Sequence, residues 1–279
     1  MCLDYHIIPK SALLIISIVT TPAWAAFDET YKLTLGGSIT SYDSKIRINS
    51  RDGSTDNGID FEDDLGFESE LRIGTVKGIW RMADRHRLSL LYLPIRRSSE
   101  ITTQNDFDIG GNVIKSGAYV GTSVKTDVFD IEYLYSFYKR PNIELSVGVG
   151  VYWMNSLAEL TAAGDVIIEG SDVPEFRSDY KANQRLIAPL PLVGLTVDYE
   201  INPQWRAKAS ARYLDVTIGD IEGRILSLML GAEYYLSKQV GIGAALNLFD
   251  LSVRQNGVVF FNTLEYEYNG ISAYLVLKY

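Results

Sequence analysis

The sequence predicts an all-β fold: a closed, antiparallel, up-and-down transmembrane β-barrel. Three observations carry that prediction. First, apolar residues recur every second position in most segments, as in Leu226, Leu228, Leu230, Ala232 and Tyr234 against Ser227, Met229, Gly231 and Glu233. A period of two belongs to a strand with one greasy and one wetter face. Second, short turns alternate with long connections along the chain. Third, the last segment keeps its alternation to the final residue, with Ile271, Ala273, Leu275, Leu277 and Tyr279 on one face. No apolar run approaches the ~18–20 residues of a membrane helix.

Composition agrees. The 279 residues are 47% hydrophobic at a mean hydropathy of +0.02, with 18 Tyr and 23 Gly spread through short alternating segments. Tyr and Gly at that density suit strands crossing a bilayer between two aromatic girdles. A formal charge of −9 argues against nucleic acid as a partner and is compatible with an acidic outer surface.

The N-terminus predicts a secretory signal over residues 1–25, with residues 26–279 as the barrel domain. Lys10 ends a short charged region, Ser11 to Thr21 is apolar, and Pro22-Ala23-Trp24-Ala25 supplies a small-residue cleavage site, with Ala26 as the alternative end. The expected route is Sec export to a bacterial outer membrane. Cys2, the one cysteine, falls in the signal, so neither disulfides nor thiol chemistry are expected beyond it.

In chain order, the first alternating segment is Tyr31 to Ile48, followed by an acidic connection from Asn49 to Gly66. Segments from Phe67 to Arg81 and from Arg87 to Thr102 flank a tight turn at 83–85, and both carry mixed faces. A fourth segment ends in Phe129, Ile131, Tyr133, Tyr135 and Phe137; after a turn at 139–142, a fifth begins at Ile143. A long connection is expected from Thr161 to Gln184. Segment six, Ile187 to Glu200, turns at 201–204 into segment seven from Trp205, and segments eight and nine meet at 237–239. Four short turns with both termini on one side require ten strands, with eight or twelve as the alternatives, and even counts are the rule for single-chain bacterial barrels.

Alternation also sorts the charges. A lipid-facing Arg or Lys at mid-membrane costs about 2–4 kcal/mol. Arg206, Lys208 and Arg212 are therefore placed in the lumen, where Asp198 and Glu233 are their expected partners in a salt-bridged interior. A barrel this narrow is mostly filled by side chains.

Candidate chemistry is sparse. His6 lies in the signal and His86 at a short turn, away from the long loops, so no histidine reaches the outer rim as a proton carrier. There is no G-x-S-x-G elbow, no phosphate-binding loop and no His/Cys metal cluster; no cofactor is expected. The acidic loop holds Asp52, Asp56, Asp60, Glu62, Asp63 and Asp64 without EF-hand order. It reads as a solvated surface loop, with Glu62, Asp63 and Asp64 the place for surface divalent cations bridging to lipopolysaccharide.

The segment IGDIEGRILSLMLGAEYYLSKQVGIGAALNLFDLSV, the signal and the aromatic C-terminus resemble the OmpA/OmpW-like outer-membrane β-barrel superfamily and its proteobacterial members. That resemblance implies an integral outer-membrane protein among lipids and lipopolysaccharide. It also implies insertion by the barrel-assembly machinery through a C-terminal signal of Ala273, Leu275, Leu277 and Tyr279. A wall-anchoring role of the OmpA type is not expected. Three functions are then open: a non-enzymatic structural or surface-interaction protein with a filled lumen; a narrow porin-like channel, for which inward Gly148, Gly150, Gly241 and Gly243 leave space; and, last, a lipid-modifying enzyme using carboxylates alone.

Overall fold

The computed structural model describes residues 27–49, 56–104, 106–109, 112–168, 173–255 and 263–279; the predicted signal and Asp52 lie outside these. Its strands are β1 (Tyr31–Asn49), β2 (Asp56–Asp60), β3 (Glu70–Ala83), β4 (His86–Thr102), β5 (Phe107–Ile109), β6 (Asn112–Ile114), β7 (Tyr119–Arg140), β8 (Ile143–Ile167), β9 (Glu175–Asn202), β10 (Trp205–Ile218), β11 (Ile221–Tyr235), β12 (Val240–Gln255) and β13 (Thr263–Lys278). Ten of them form a closed antiparallel ring in the order β1-β3-β4-β7-β8-β9-β10-β11-β12-β13, with β13 returning to β1. The short β2 adds to β1, and the β5–β6 hairpin adds to the far end of β8.

Closure is what such a sheet needs in hydrocarbon, where no water satisfies a free edge. β1 and β13 pair from Lys32↔Lys278 to Arg47↔Thr263 without a shift, and Tyr31 and Tyr279 exchange backbone bonds at 2.8 Å. Gly36 permits the closest part of this seam, since a Cβ there would collide with Tyr274 and the Ala273 carbonyl.

The outward residues form an apolar belt. Leu230, Leu246 and Ile271 are 61%, 56% and 62% exposed, and share one row with Ile39. Toward the loop end, the belt finishes in the row Tyr92, Phe129, Trp153 and Pro189. Two rows further it has become Arg96, Lys125, Leu157 and Arg185, so the wall passes from aromatic to charged within about 13 Å along the strands. At the turn end a second set of aromatics lies outside: Tyr31 stacked on Trp80, and Trp205 against Tyr234.

Two sequence expectations about the connections are corrected. The connection from Thr161 to Gln184 is mostly strand: β8 runs to Ile167 and β9 starts at Glu175, so the two form one tall hairpin beyond the belt. Arg177, Asp179, Lys181 and Arg185 make that part of β9 polar enough to resemble a loop in sequence. The acidic connection is not simply solvated, because Ile59, Phe61, Leu65 and Phe67 turn inward and are buried. The mixed faces of β3 and β4 reflect a real interruption: their ladder stops at Val76↔Tyr92, although both strands continue. The 61–69 segment covers that gap, with Arg97 donating to Glu62 Oε1 at 2.5 Å and to the Glu68 carbonyl at 3.1 Å. A similar break follows Tyr213↔Val193, just before Pro191 and Pro189, which have no N–H to give β10.

Because β13 supplies ladder bonds to both β12 and β1, removing residues 273–279 opens the ring. The truncated protein is expected to lose the heat-modifiable band of a folded barrel and to be degraded or aggregate; a stable heat-modifiable band after truncation contradicts this.

Candidate functional site: the charged lumen

The inward positions divide the lumen into two layers. Near the turns, charged residues form an unbroken chain of ion pairs. Lys32 Nζ donates to both oxygens of Glu233 at 2.8 Å. Lys208 lies 3.4 Å from Glu233 and 3.4 Å from Asp198. Arg87 approaches Asp198 at 3.2 Å and Glu144 at 3.5 Å. Arg81 completes the chain with a forked pair of bonds to Glu144, both 2.9 Å. These seven residues come from seven strands, β1, β11, β10, β9, β4, β8 and β3, so the chain crosses the barrel. Hydroxyls complete the carboxylate shells: Tyr235 donates to Glu233 at 2.6 Å and Ser136 to Glu144 at 2.5 Å.

All five predicted lumen residues face inward, but their pairings are redistributed. Lys208 bridges Asp198 and Glu233, whereas Arg206 pairs with Glu29 at 3.0 Å and Arg212 with Asp130. Arg206 is held at the turn-end mouth between the rings of Phe27, at 4.6 Å, and Tyr235, at 5.2 Å. Burial alone would raise the Glu29 carboxyl; Arg206 foremost, then Lys32, hold it at about 2 instead. Sequence reasoning assigned no role to Lys32, Arg81, Arg87 or Glu144, although the inward parity of Lys32 and Glu144 was readable. Glu29 precedes the first strand and carried no periodic signal.

Toward the loop end the lumen is mainly apolar, with Arg97 buried among its rings, 5.4 Å from Tyr42 and 4.9 Å from Phe67, and paired with Glu62. Tyr42 meets Tyr268 at 5.1 Å, Phe249 stacks on Tyr268 at 4.8 Å, and Tyr152 meets Phe249 at 5.8 Å. Val124, Val128, Met154, Leu190, Ile225 and Leu251 are buried around them, and Phe61 and Phe67 close the layer from the 61–69 segment. Between the layers lies a cavity of about 210 Å³, lined by hydroxyls and charged groups together with aliphatic side chains such as Ile79, Leu91 and Met229.

The inward glycines accommodate neighbouring side chains. A Cβ on Gly148 would strike the Glu132 carboxylate, one on Gly241 the Tyr235 ring, and one on Gly243 the Tyr274 ring. At Gly150 the conflict is with the backbone at Ile131 and Glu132.

The remaining candidates are dispersed. Glu62 is taken by Arg97 and Ser44, Asp64 accepts from the Asp60 N–H at 2.9 Å, and Asp63 is exposed. Asp43, Asp60 and Glu62 come near one another, but Lys45 sits 3.6 Å from Asp43 and 3.5 Å from Asp60, supplying the cation itself. His86 lies at the turn end, its Nδ1 2.5 Å from the Tyr133 hydroxyl. Of the C-terminal residues, Ala273, Leu275, Leu277 and Tyr279 occupy the outer face of β13 and its end.

No protein-family model and no curated protein matches the chain. Among solved structures it is similar to the outer-membrane protease OmpT of Escherichia coli, at a TM-score of 0.51 and 15% identity over 91% of this chain and 98% of that one. It also aligns with the toluene transporter TodX of Pseudomonas putida, at 0.37 and 9% identity over 91% and 90%. Ail, the attachment invasion locus protein of Yersinia pestis, aligns at 0.36 and 8% over 88% and 99%. At these identities the likeness is one of fold: an up-and-down barrel of the bacterial outer-membrane type.

A carboxylate held below its unfolded value contributes stability that is complete above the unfolded pKa and lost as pH falls through the folded one. From 4.5 to about 2, Glu29 contributes on the order of 3 kcal/mol. Glu29→Gln should lower the urea midpoint at neutral pH and flatten its fall between about pH 4.5 and 2, both read by tryptophan fluorescence. The same acid profile in both proteins would contradict the Arg206 pairing.

Proposed function

We propose that this chain is an integral outer-membrane barrel without enzymatic activity. It acts through the surface at its loop end while its lumen stays filled. The observation that carries this reading is the ion-pair chain from Lys32 to Arg81 across the lumen. A pore needs a continuous water path, and here a charged layer and an apolar layer lie in series. The glycines that suggested free space are covered by neighbouring groups.

Short turns at one end and tall hairpins at the other fit a periplasmic and an extracellular side. The β8–β9 hairpin and the β5–β6 hairpin beside it give the outer end a raised wall, with Phe176 74% exposed near the tip. The charged row of Arg96, Lys125 and Arg185 just above the outer aromatics suits the headgroup region of lipopolysaccharide. Sec export and insertion by the barrel-assembly machinery, with Ala273, Leu275, Leu277 and Tyr279 as its signal, complete the reading. Catalysis has little support, because His86 is tied to Tyr133 at the opposite end.

Purified protein in planar bilayers should show no steady conductance, and Phe67→Ala, which opens only the apolar layer, should not create one. Stable single-channel steps from the wild-type protein would favour a narrow channel instead.

A further inference from the structure

The cavity between the two layers differs from the rest of the lumen in one respect. Among the described residues, nearly every inward charge has an oppositely charged partner within hydrogen-bond or ion-pair distance. Lys77 and Glu132 are the two that line this cavity and have neither a hydrogen bond nor an ion pair. Lys77 occupies an inward position of β3, between Thr75 and Ile79. Glu132 projects from β7 and is only 6% exposed. Its carboxylate lies over Gly148 and Gly194, which face each other on β8 and β9, and a Cβ on Gly194 would sit 3.4 Å from Oε1.

Leaving one cation and one anion unpaired in a lumen that pairs the others carries a desolvation cost that a ligand would relieve. Had the chain required only neutrality, direct contact between the two would supply it. Instead a cavity of about 210 Å³ stands at this point, lined by hydroxyls that include Thr75, Ser210 and Ser227. Arg212, already bonded to Asp130, lines the same space beside Glu132, since a Cβ on Gly194 would meet both side chains, but it is not within ion-pair distance of Glu132.

We propose that this cavity is a binding site for a compact zwitterion: a small polar molecule whose ammonium group meets Glu132 and whose carboxylate meets Lys77. A free anion would leave Glu132 unpaired and a free cation would leave Lys77 unpaired. Only a molecule carrying both charges satisfies the two together, and the surrounding hydroxyls accommodate a polar body between them. Binding without conduction is compatible with both layers remaining closed on average, with exchange during their transient opening.

The test uses radiolabelled L-serine as the probe, in equilibrium dialysis against the folded, full-length barrel in detergent. Saturable binding near one molecule per chain is expected, with affinity at least tenfold weaker in Lys77→Met and in Glu132→Gln. Propionate or ethylamine, each carrying one of the two charges, should compete at least tenfold less effectively than unlabelled L-serine. This competition uses the wild-type protein alone and stands if a variant does not fold. Absence of saturable binding by the wild type, undiminished binding by folded variants, or equal competition by a singly charged analogue would each overturn the assignment.

Discussion

The structure depends most on one buried carboxylate. Glu233 is 1% exposed, and it accepts from Lys32 twice, from Tyr235 once and stands 3.4 Å from Lys208. A charge removed from water costs several kcal/mol even after relaxation, and only close, multiple partners offset it. Here Tyr235 lies on the same strand, β11, and Lys208 on the adjacent β10, while Lys32 reaches in from β1, with β12 and β13 between. The ladder bonds close the wall. Glu233 and the chain continuing through Asp198 and Glu144 join its opposite sides through the interior.

That arrangement has a consequence for the other layer. Once the turn-end half of the lumen is filled with ions, the loop-end half contributes in a different way, by excluding water with aromatic and aliphatic groups. At about 25 cal/mol per Å² of apolar surface buried, the Tyr42, Tyr152, Phe249 and Tyr268 cluster resembles the core of a soluble domain. The 61–69 segment extends this core and covers the place where β3 and β4 part. The cavity lies where the two layers meet, lined by Arg87, Asp198, Lys208 and Glu233 of one and by Tyr268 of the other.

The wall was largely legible in the sequence and the interior only by half. A period of two survives in any strand with lipid on one side, so Leu226 to Tyr234 and Ile271 to Tyr279 declared their faces, and counting short turns led to ten strands. That periodicity fades where strands leave the membrane. At the tip of β9, Glu175 to Asp179 are exposed on both faces, and below them charged and polar residues separate the inward Tyr180, Ala182 and Leu186, so a strand from Glu175 was legible only as a loop. Inward charge was legible by parity, as with Arg206 and Glu233. Pairing was not, since it depends on tilt and on which strands face each other across the lumen. Lys32 and Glu233 are 201 residues apart, and no local pattern connects them. The inward turn of Phe61, Leu65 and Phe67 was hidden by the carboxylates interleaved with them.

If the ion pairs at Glu233 tie the barrel together across its lumen, a double-mutant cycle on Lys32→Met and Glu233→Gln, measured by reversible urea unfolding in lipid or detergent, will show it. The two singles should each be strongly destabilising and the double much less so than their sum, giving a coupling of about 2 kcal/mol or more. A coupling below about 0.5 kcal/mol, the scale of exposed pairs, would mean that the wall ladder alone holds the barrel and that the lumen charges are passengers.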